Sequence, residues 1–149
     1  MKVRVNQGFT IIELIIGVII AGILLSVAAP SFTSFMQGNS MNADIRSFVG
    51  GIQTAKTEAV TRAENVTFRP RGGNWSNGWE VVDTDDTVIQ RGKDLPDTYS
   101  FSADNGTTDF VFNARGRMTP VSGEVLTVSD GEGNSLTLTI TGNGTTLVK

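Results

Sequence analysis

The chain has 149 residues, with 12 Lys and Arg against 15 Asp and Glu, a formal net charge of −3, and neither Cys nor His. That length suits one modest domain, and the charge builds in no general attraction to nucleic acid or anionic lipid. Without Cys or His, the chain alone cannot form a disulfide, a Cys/His zinc site, a Cys–His nucleophile pair or a Ser-His-Asp triad.

Met1 to Gly8 is short and polar, and its charges are Lys2 and Arg4. From Phe9 to Ala29 the chain reads FTIIELIIGVIIAGILLSVAA, charged only at Glu13. At about 1.5 Å per residue, a helix of that length crosses the roughly 30 Å hydrocarbon core of a bilayer. Lys2 and Arg4 ahead of it predict a cytoplasmic N-terminus and an exported remainder. A secretory signal would show a shorter apolar region followed by a small-x-small cleavage site. Here the small residue, Gly8, precedes the run. Glu13 needs a partner, because a charge within a spanning helix costs about 2.5–3.5 kcal/mol on insertion scales. Cleavage after Gly8 would create one: the free amine of Phe9, one helical turn away in the same chain or presented by a neighbour.

A basic leader, then Gly8-Phe9-Thr10, Glu13-Leu14 and an uninterrupted apolar run resembles the class III signal motif of type IV pilins and type II secretion pseudopilins. The resemblance implies a membrane prepilin peptidase as partner, cutting between Gly8 and Phe9 and methylating the new Phe9 amine. It implies a leader at 1–8, a transmembrane and assembly helix at 9–30, and a periplasmic α+β domain at 31–149. The protein would sit in the bacterial inner membrane as a single-pass chain, surrounded by lipid until it joins other major and minor subunits. Glu13 would then dock on the Phe9 amine of the preceding subunit and set axial register. Gly17 and Gly22 permit close helix approach, although their spacing is not that of GxxxG. Pro30 predicts a kink where the apolar run ends.

From Ser31 to about Glu64 the pattern predicts continued helix, now amphipathic. Ile45, Phe48, Val49, Ile52, Ala55, Ala59 and Val60 form a stripe, with Asp44, Arg46, Lys56, Glu58 and Arg62 mostly opposite. Gly38, Gly50 and Gly51 weaken this helix locally. Beyond Asn65 short β-type runs alternate with turn residues. Strands are predicted at Val66–Arg69, Trp79–Val82, Val88–Arg91, Tyr99–Ser102, Asp109–Asn113, Val125–Ser129, Leu136–Thr141 and Thr145–Val148. Turns fall at Asp104-Asn105-Gly106, Asp130–Asn134 and Gly142-Asn143-Gly144. The fold class is therefore α+β: a long N-terminal helix packed on a small antiparallel β-sheet or sandwich domain.

Gly78-Trp79-Glu80-Val81-Val82-Asp83, Phe112-Asn113-Ala114-Arg115-Gly116 and the helical segment Ala55–Arg62 resemble the GspH/FimT group of minor pilins. FimT-like members of this group are similar to DNA-uptake pilins that bind DNA through a Gly-Arg-x-Arg motif near the C-terminus. The tail here, Gly142 to Lys149, contains no Arg. Arg69, Arg71, Arg115 and Arg117, with Arg62, are the candidate phosphate contacts, and Trp75 or Trp79 is available for stacking. Solvated arginines at strand ends explain the same residues. Asp83-Asp85-Asp86 and Asp130-Glu132 offer oxygens to a hard cation, but Ser135 stands where an EF-hand loop requires Gly, so an ordinary hairpin is preferred and no metal site is assigned. No motif places catalytic groups in a pocket and no cofactor is implied. The expected role is a minor pilin or pseudopilin, not an enzyme, assembled at or near the tip of a type IV pilus or secretion pseudopilus. The alternative is a DNA-binding minor pilin for uptake in transformation.

Overall fold

The computed structural model describes residues 9–119 and 121–149, apart from the side chains of residues 29–31, 33 and 34. The leader with Lys2, Arg4 and Gly8 lies outside the described residues, as does the side chain of Pro30. Helix α1 runs from Ile11 to Arg62, and the chain divides into two compact units, Met1–Ser40 and Met41–Lys149.

In the first unit, every side chain described from Phe9 to Met36 is exposed. Ile11–Ala28 is long and apolar enough to cross a membrane. Its large side chains all stand open, from Ile11 and Ile12 through Leu24, Leu25 and Val27. A helix apolar all round has no use for a core on one side only; it needs an apolar surrounding.

In the second unit, the last part of α1 buries one stripe: Met41, Ile45, Phe48, Ile52, Ala55 and Ala59. Burial of a side chain such as Phe48 contributes about 1.5–3 kcal/mol. Two expected assignments on this helix are corrected. Val60 is half exposed and outside the core. Asp44, expected on the wet face, is buried, where it accepts a hydrogen bond from the Tyr99 hydroxyl at 3.2 Å and pairs with Lys93. Burial, followed by the Asp44 carboxylate, pushes the Tyr99 phenol up to about 12. The stripe can be read from spacing, whereas a partnered acid on it depends on a distant loop.

Nine strands follow among the described residues: β1 (Val66–Pro70), β2 (Trp79–Val82), β3 (Val88–Arg91), β4 (Ser100–Ala103), β5 (Phe110–Phe112), β6 (Met118–Thr119), β7 (Glu124–Ser129), β8 (Ser135–Ile140) and β9 (Thr146–Val148). They form two antiparallel sheets, in the orders β3-β2-β1-β5-β6 and β4-β7-β8-β9. Strand β6 is an addition to the predicted set, since two residues carry no period to read. The stretch between β1 and β2 forms two 3-10 turns, Arg71–Gly73 and Trp75–Asn77.

Strand β7 alternates, burying Glu124, Leu126 and Val128, while β8 buries Leu138 and Ile140. Both inner faces join the helical stripe in one core. At its centre the Phe48 ring meets Phe68 edge-on at 4.7 Å between centroids and lies 4.9 Å from Trp75. Gly51 lets the helix approach this far: a Cβ there would lie 2.7 Å from both Phe68 and Trp79. The next strand is just as tight. Gly78, at φ 82°, sits against the Lys93 carbonyl, which gives the Gly78-Trp79 pair a steric basis.

Glu124 is buried and has no ion pair among the described residues. Its Oε1 accepts from the amides of Asn105 (2.9 Å) and Val125 (3.1 Å), and Oε2 from the Thr107 amide (3.4 Å). The bonds from Asn105 and Thr107 fix the loop between β4 and β5, one of three passages between the sheets. Burial alone would push this carboxyl up; the contacts from Asn105, Thr107 and Val125 outweigh it and hold the group below the ordinary carboxylate range.

The two adjacent glycines of α1 should respond to alanine in opposite ways. Gly51→Ala gains helix propensity yet overpacks two rings, so its stability in urea denaturation falls by about 1 kcal/mol net. Gly50→Ala, with open space around the new methyl, raises it by about 0.5–1 kcal/mol. For Glu124, a folded pKa below the unfolded value means that protons favour the unfolded chain. Its contribution is present above the unfolded carboxylate pKa and is lost as pH falls through the lower, folded one. Glu124→Gln sets an amide donor against the Thr107 N–H, lowers stability at neutral pH by about 1–3 kcal/mol, and flattens the acid limb of a pH–denaturation profile.

Candidate assembly site

The start of α1 is built by three residues. Thr10 is the N-cap: its carbonyl accepts from the Leu14 amide at 3.2 Å, the first bond of the helix. Its Oγ1 accepts from the Glu13 amide at 3.3 Å. In return, Glu13 Oε2 accepts from the Thr10 amide at 3.0 Å and from the Thr10 hydroxyl at 2.9 Å. This is a capping box, which satisfies two donors that helix geometry leaves without partners. Both contributing groups of Thr10 lie on the C-terminal side of the Gly8–Phe9 bond, so cleavage there would leave them intact. Phe9 is 83% exposed at the tip. Among the described residues, Glu13 Oε1 has no hydrogen-bond partner.

Thr10 is a site residue that the charge pattern does not reveal, although Thr-x-x-Glu ahead of an apolar run is a readable helix-start signal. A lone acid in an apolar run points to a partner in its own chain or on a neighbour; the structure shows Thr10 as a partner within its own.

The expected arginine group is not brought together as one free patch. Arg69 is held by Glu80 at 3.1 Å and Asp86 at 2.8 Å. Arg71 pairs with Asp94, and Arg62 with Glu58 at 2.7 Å. Trp75 and Trp79 are in the core, so neither is available to stack on a base. Arg115 and Arg117 differ: both are exposed, and neither has an ion pair among the described residues. They flank Gly116 in a turn held by Asn113, whose Oδ1 accepts from both arginine amides. Far along the chain, yet adjacent in space, the Gly142–Gly144 turn packs on this one. A Cβ at Gly144 would lie 3.1 Å from the Gly116 carbonyl, and Lys56 Nζ donates to the Asn143 carbonyl at 2.8 Å.

The acidic groups are used internally. Asp130 accepts from the Asn134 side chain (2.6 Å) and from the amides of Glu132 and Asn134. Asp83 accepts from the amides of Asp85 and Thr87. Each closes a turn, and no group of three acidic side chains suited to a metal occurs among the described residues.

Residues 44–145 match the family described as Type II transport protein GspH, and residues 3–29 match the prokaryotic N-terminal methylation motif. The chain belongs to the GspH family. It is 35% identical over 89 residues to the type IV narrow pilus major component PilA5 of Thermus thermophilus, a match covering 55% of this chain and 76% of that protein. It is 29% identical over 123 residues to the type IV major pilin protein PilA of Myxococcus xanthus, covering 70% of this chain and 55% of that one. Its fold is similar to the crystal structure of the type IV minor pilin FimU of Pseudomonas aeruginosa, with a TM-score of 0.64 at 15% identity, over 77% of this chain and 92% of that one. This GspH-family protein is thus a pilin-type structural subunit of a pilus or secretion pseudopilus, not an enzyme, with other pilins or pseudopilins as its assembly partners. Its apolar helix makes it a membrane-anchored one.

Proposed function

We propose that this protein is the precursor of a minor subunit of a type IV pilus, cut between Gly8 and Phe9 by a prepilin peptidase and methylated on the Phe9 amine. Leader 1–8 is removed, 9–30 spans the bacterial inner membrane, and 31–149 lies in the periplasm before assembly. The observation that carries this reading is the join between the methylation motif and a helix whose described side chains are exposed all round from Phe9 to Ala28. Such a helix must stay in apolar surroundings, first lipid and then the helices of other subunits. The two curated relatives favour a pilus over a secretion pseudopilus, being components of type IV pili. They are major subunits, whereas the similar crystal structure is a minor one; the GspH/FimT-type motifs of the body favour the minor role, at or near the tip.

In this mechanism the Phe9 ammonium of one subunit becomes the counter-ion of Glu13 on the next. The pair sets axial register, because any other stagger leaves a carboxylate and an ammonium unpaired in an apolar setting. Mass spectrometry of the membrane-extracted protein is expected to show an N-methylated Phe9 as first residue; an intact Met1 contradicts the reading. Glu13→Ala is expected to insert and be processed normally while its recovery in sheared filaments falls at least ten-fold, measured by immunoblot.

A second reading, DNA binding during uptake, retains one supporting observation: Arg115 and Arg117 are exposed beside Lys56 and the C-terminal turn. Arg69 and Arg71 drop out of it because they are already paired with acids. Two or three cations on a chain with net negative charge are few for duplex phosphate contact, where each contributes about 0.9 to the salt slope. In a gel shift of the full chain in detergent micelles, no salt-sensitive band is expected. A band abolished by Arg115→Ala or Arg117→Ala would establish the second reading.

A further inference from the structure

In the second unit, Arg115 and Arg117 on one side and Asp97 and Glu132 on the other are exposed and have no ion pair among the described residues. Sheet topology sets the two groups at opposite ends of β7 and β8. At one end Glu124 faces Ile140, and the turn after β8 lies against Gly116, between the arginines. At the other end Ser129 faces Ser135, and a Cβ on Gly131 would lie 3.6 Å from the Thr98 carbonyl. That contact sets the Asp130–Asn134 hairpin against the Asp97-Thr98 stretch. The six residues of β7, at about 3.3 Å each, hold the ends roughly 20 Å apart. The helix agrees: Lys56 reaches Asn143 at the basic end, and Asp44, about three turns earlier, reaches Tyr99 at the acidic end. We propose that copies of this chain stack head to tail, the Arg115–Arg117 turn of one against Asp97 and Glu132 of the next. This rests on the filament-subunit reading above and adds to it a surface and a neighbour.

Charge complementarity selects the occupant. Unpaired guanidinium groups bind carboxylates through charge-assisted, often bidentate hydrogen bonds. A two-fold dimer through either end would set arginine against arginine or acid against acid. A heterologous contact joins unlike ends, leaves one of each open and repeats along an open series, as a filament requires. Other charges near these ends are matched within the chain: Arg62 by Glu58, Glu64 and Asp83, and Lys93 by Asp44. Both docking turns are fixed before they meet. Asn113 Oδ1 accepts from the amides of Arg115 and Arg117, and Asp130 Oδ1 from those of Glu132 and Asn134, so little backbone freedom is lost on contact. Exposed ion pairs are weak one by one; this contact decides which ends meet and does not by itself hold the stack together. The minor role sets where in the filament these copies lie, not how many there are.

The test is disulfide trapping in sheared filaments, and the chain suits it because it has no Cys of its own. The full-length chain carrying both Thr98→Cys and Ala114→Cys, two exposed positions beside the charged groups, is oxidised and separated without reductant. Head-to-tail stacking predicts a ladder of dimers, trimers and longer species, whereas either cysteine alone stops at a dimer. Adding Arg115→Glu and Arg117→Glu is expected to weaken the trimer and longer bands about five-fold, which is what two exposed ion pairs are together worth. Adding Asp97→Arg and Glu132→Arg to that chain restores the ladder, because the ends are again unlike. Arg46→Glu, an exposed arginine on the helix without an ion pair, leaves the ladder unchanged. The inference is overturned if the parent gives no ladder, if charge reversal does not weaken it, if the four-fold reversal does not restore it, or if Arg46→Glu weakens it equally. Failure of the filament reading looks different: an intact Met1 in every chain, the parent included.

Discussion

A single helix here must satisfy two different surroundings. Its first part exposes apolar side chains in every direction and carries one carboxylate near the start; its last part buries a narrow stripe and wets the rest. No water-filled environment suits the first part, and no lipid suits the second. The family membership fits that division, because a pilin-type subunit both assembles with other subunits and folds a core of its own. Glu13 is the exception within the first part. A charge in that position is tolerable only while its hydrogen bonds and counter-charge are supplied, and Thr10 supplies the first of these from within the chain.

The body solves a separate problem, that of joining two small sheets to one helix with few residues. Aromatic side chains fill the centre, with Phe48, Phe68 and Trp75 in mutual contact. Gly51 brings the helix backbone close enough for them to meet. One of the three passages between the sheets, from β4 to β5, is held by a buried carboxylate that gathers backbone amides. Elsewhere acids are spent on arginines: Glu80 and Asp86 on Arg69, Asp94 on Arg71. Among the described residues, Arg62, Arg69, Arg71 and Arg91 are paired with acids, which leaves Arg46, Arg115 and Arg117 without an ion pair.

Much of this architecture is legible in the amino-acid sequence. The helical stripe through Ile45, Phe48 and Ile52 follows from spacing, since 3.6-residue periodicity requires only neighbours along the chain. Strands Trp79–Val82 and Val88–Arg91 can be read to the residue, because turn chemistry and β-branched residues mark their ends. Strand β6 cannot, being two residues long and stabilised by pairing with β5. Asp44 reads as a wet-face acid because its partners, Tyr99 and Lys93, come from a remote part of the chain. The role of Glu124 is hidden for the same reason, its donors lying in another loop. Thr10 is legible in principle, as a capping signal, but the charge of Glu13 is the louder feature of that segment.

The sequence by itself determined the order of parts: a methylation motif, an apolar helix with one acid, an amphipathic continuation, and a run of short strands. Those features are local, each fixed by the chemistry of residues within a few positions of one another. Only the tertiary structure decided which charges are free. Whether Arg69 can meet a phosphate depends on Glu80 and Asp86, and whether Arg115 can depends on the absence of such neighbours among the described residues. Ion pairing is governed by distance in space, which strand order sets and chain order does not.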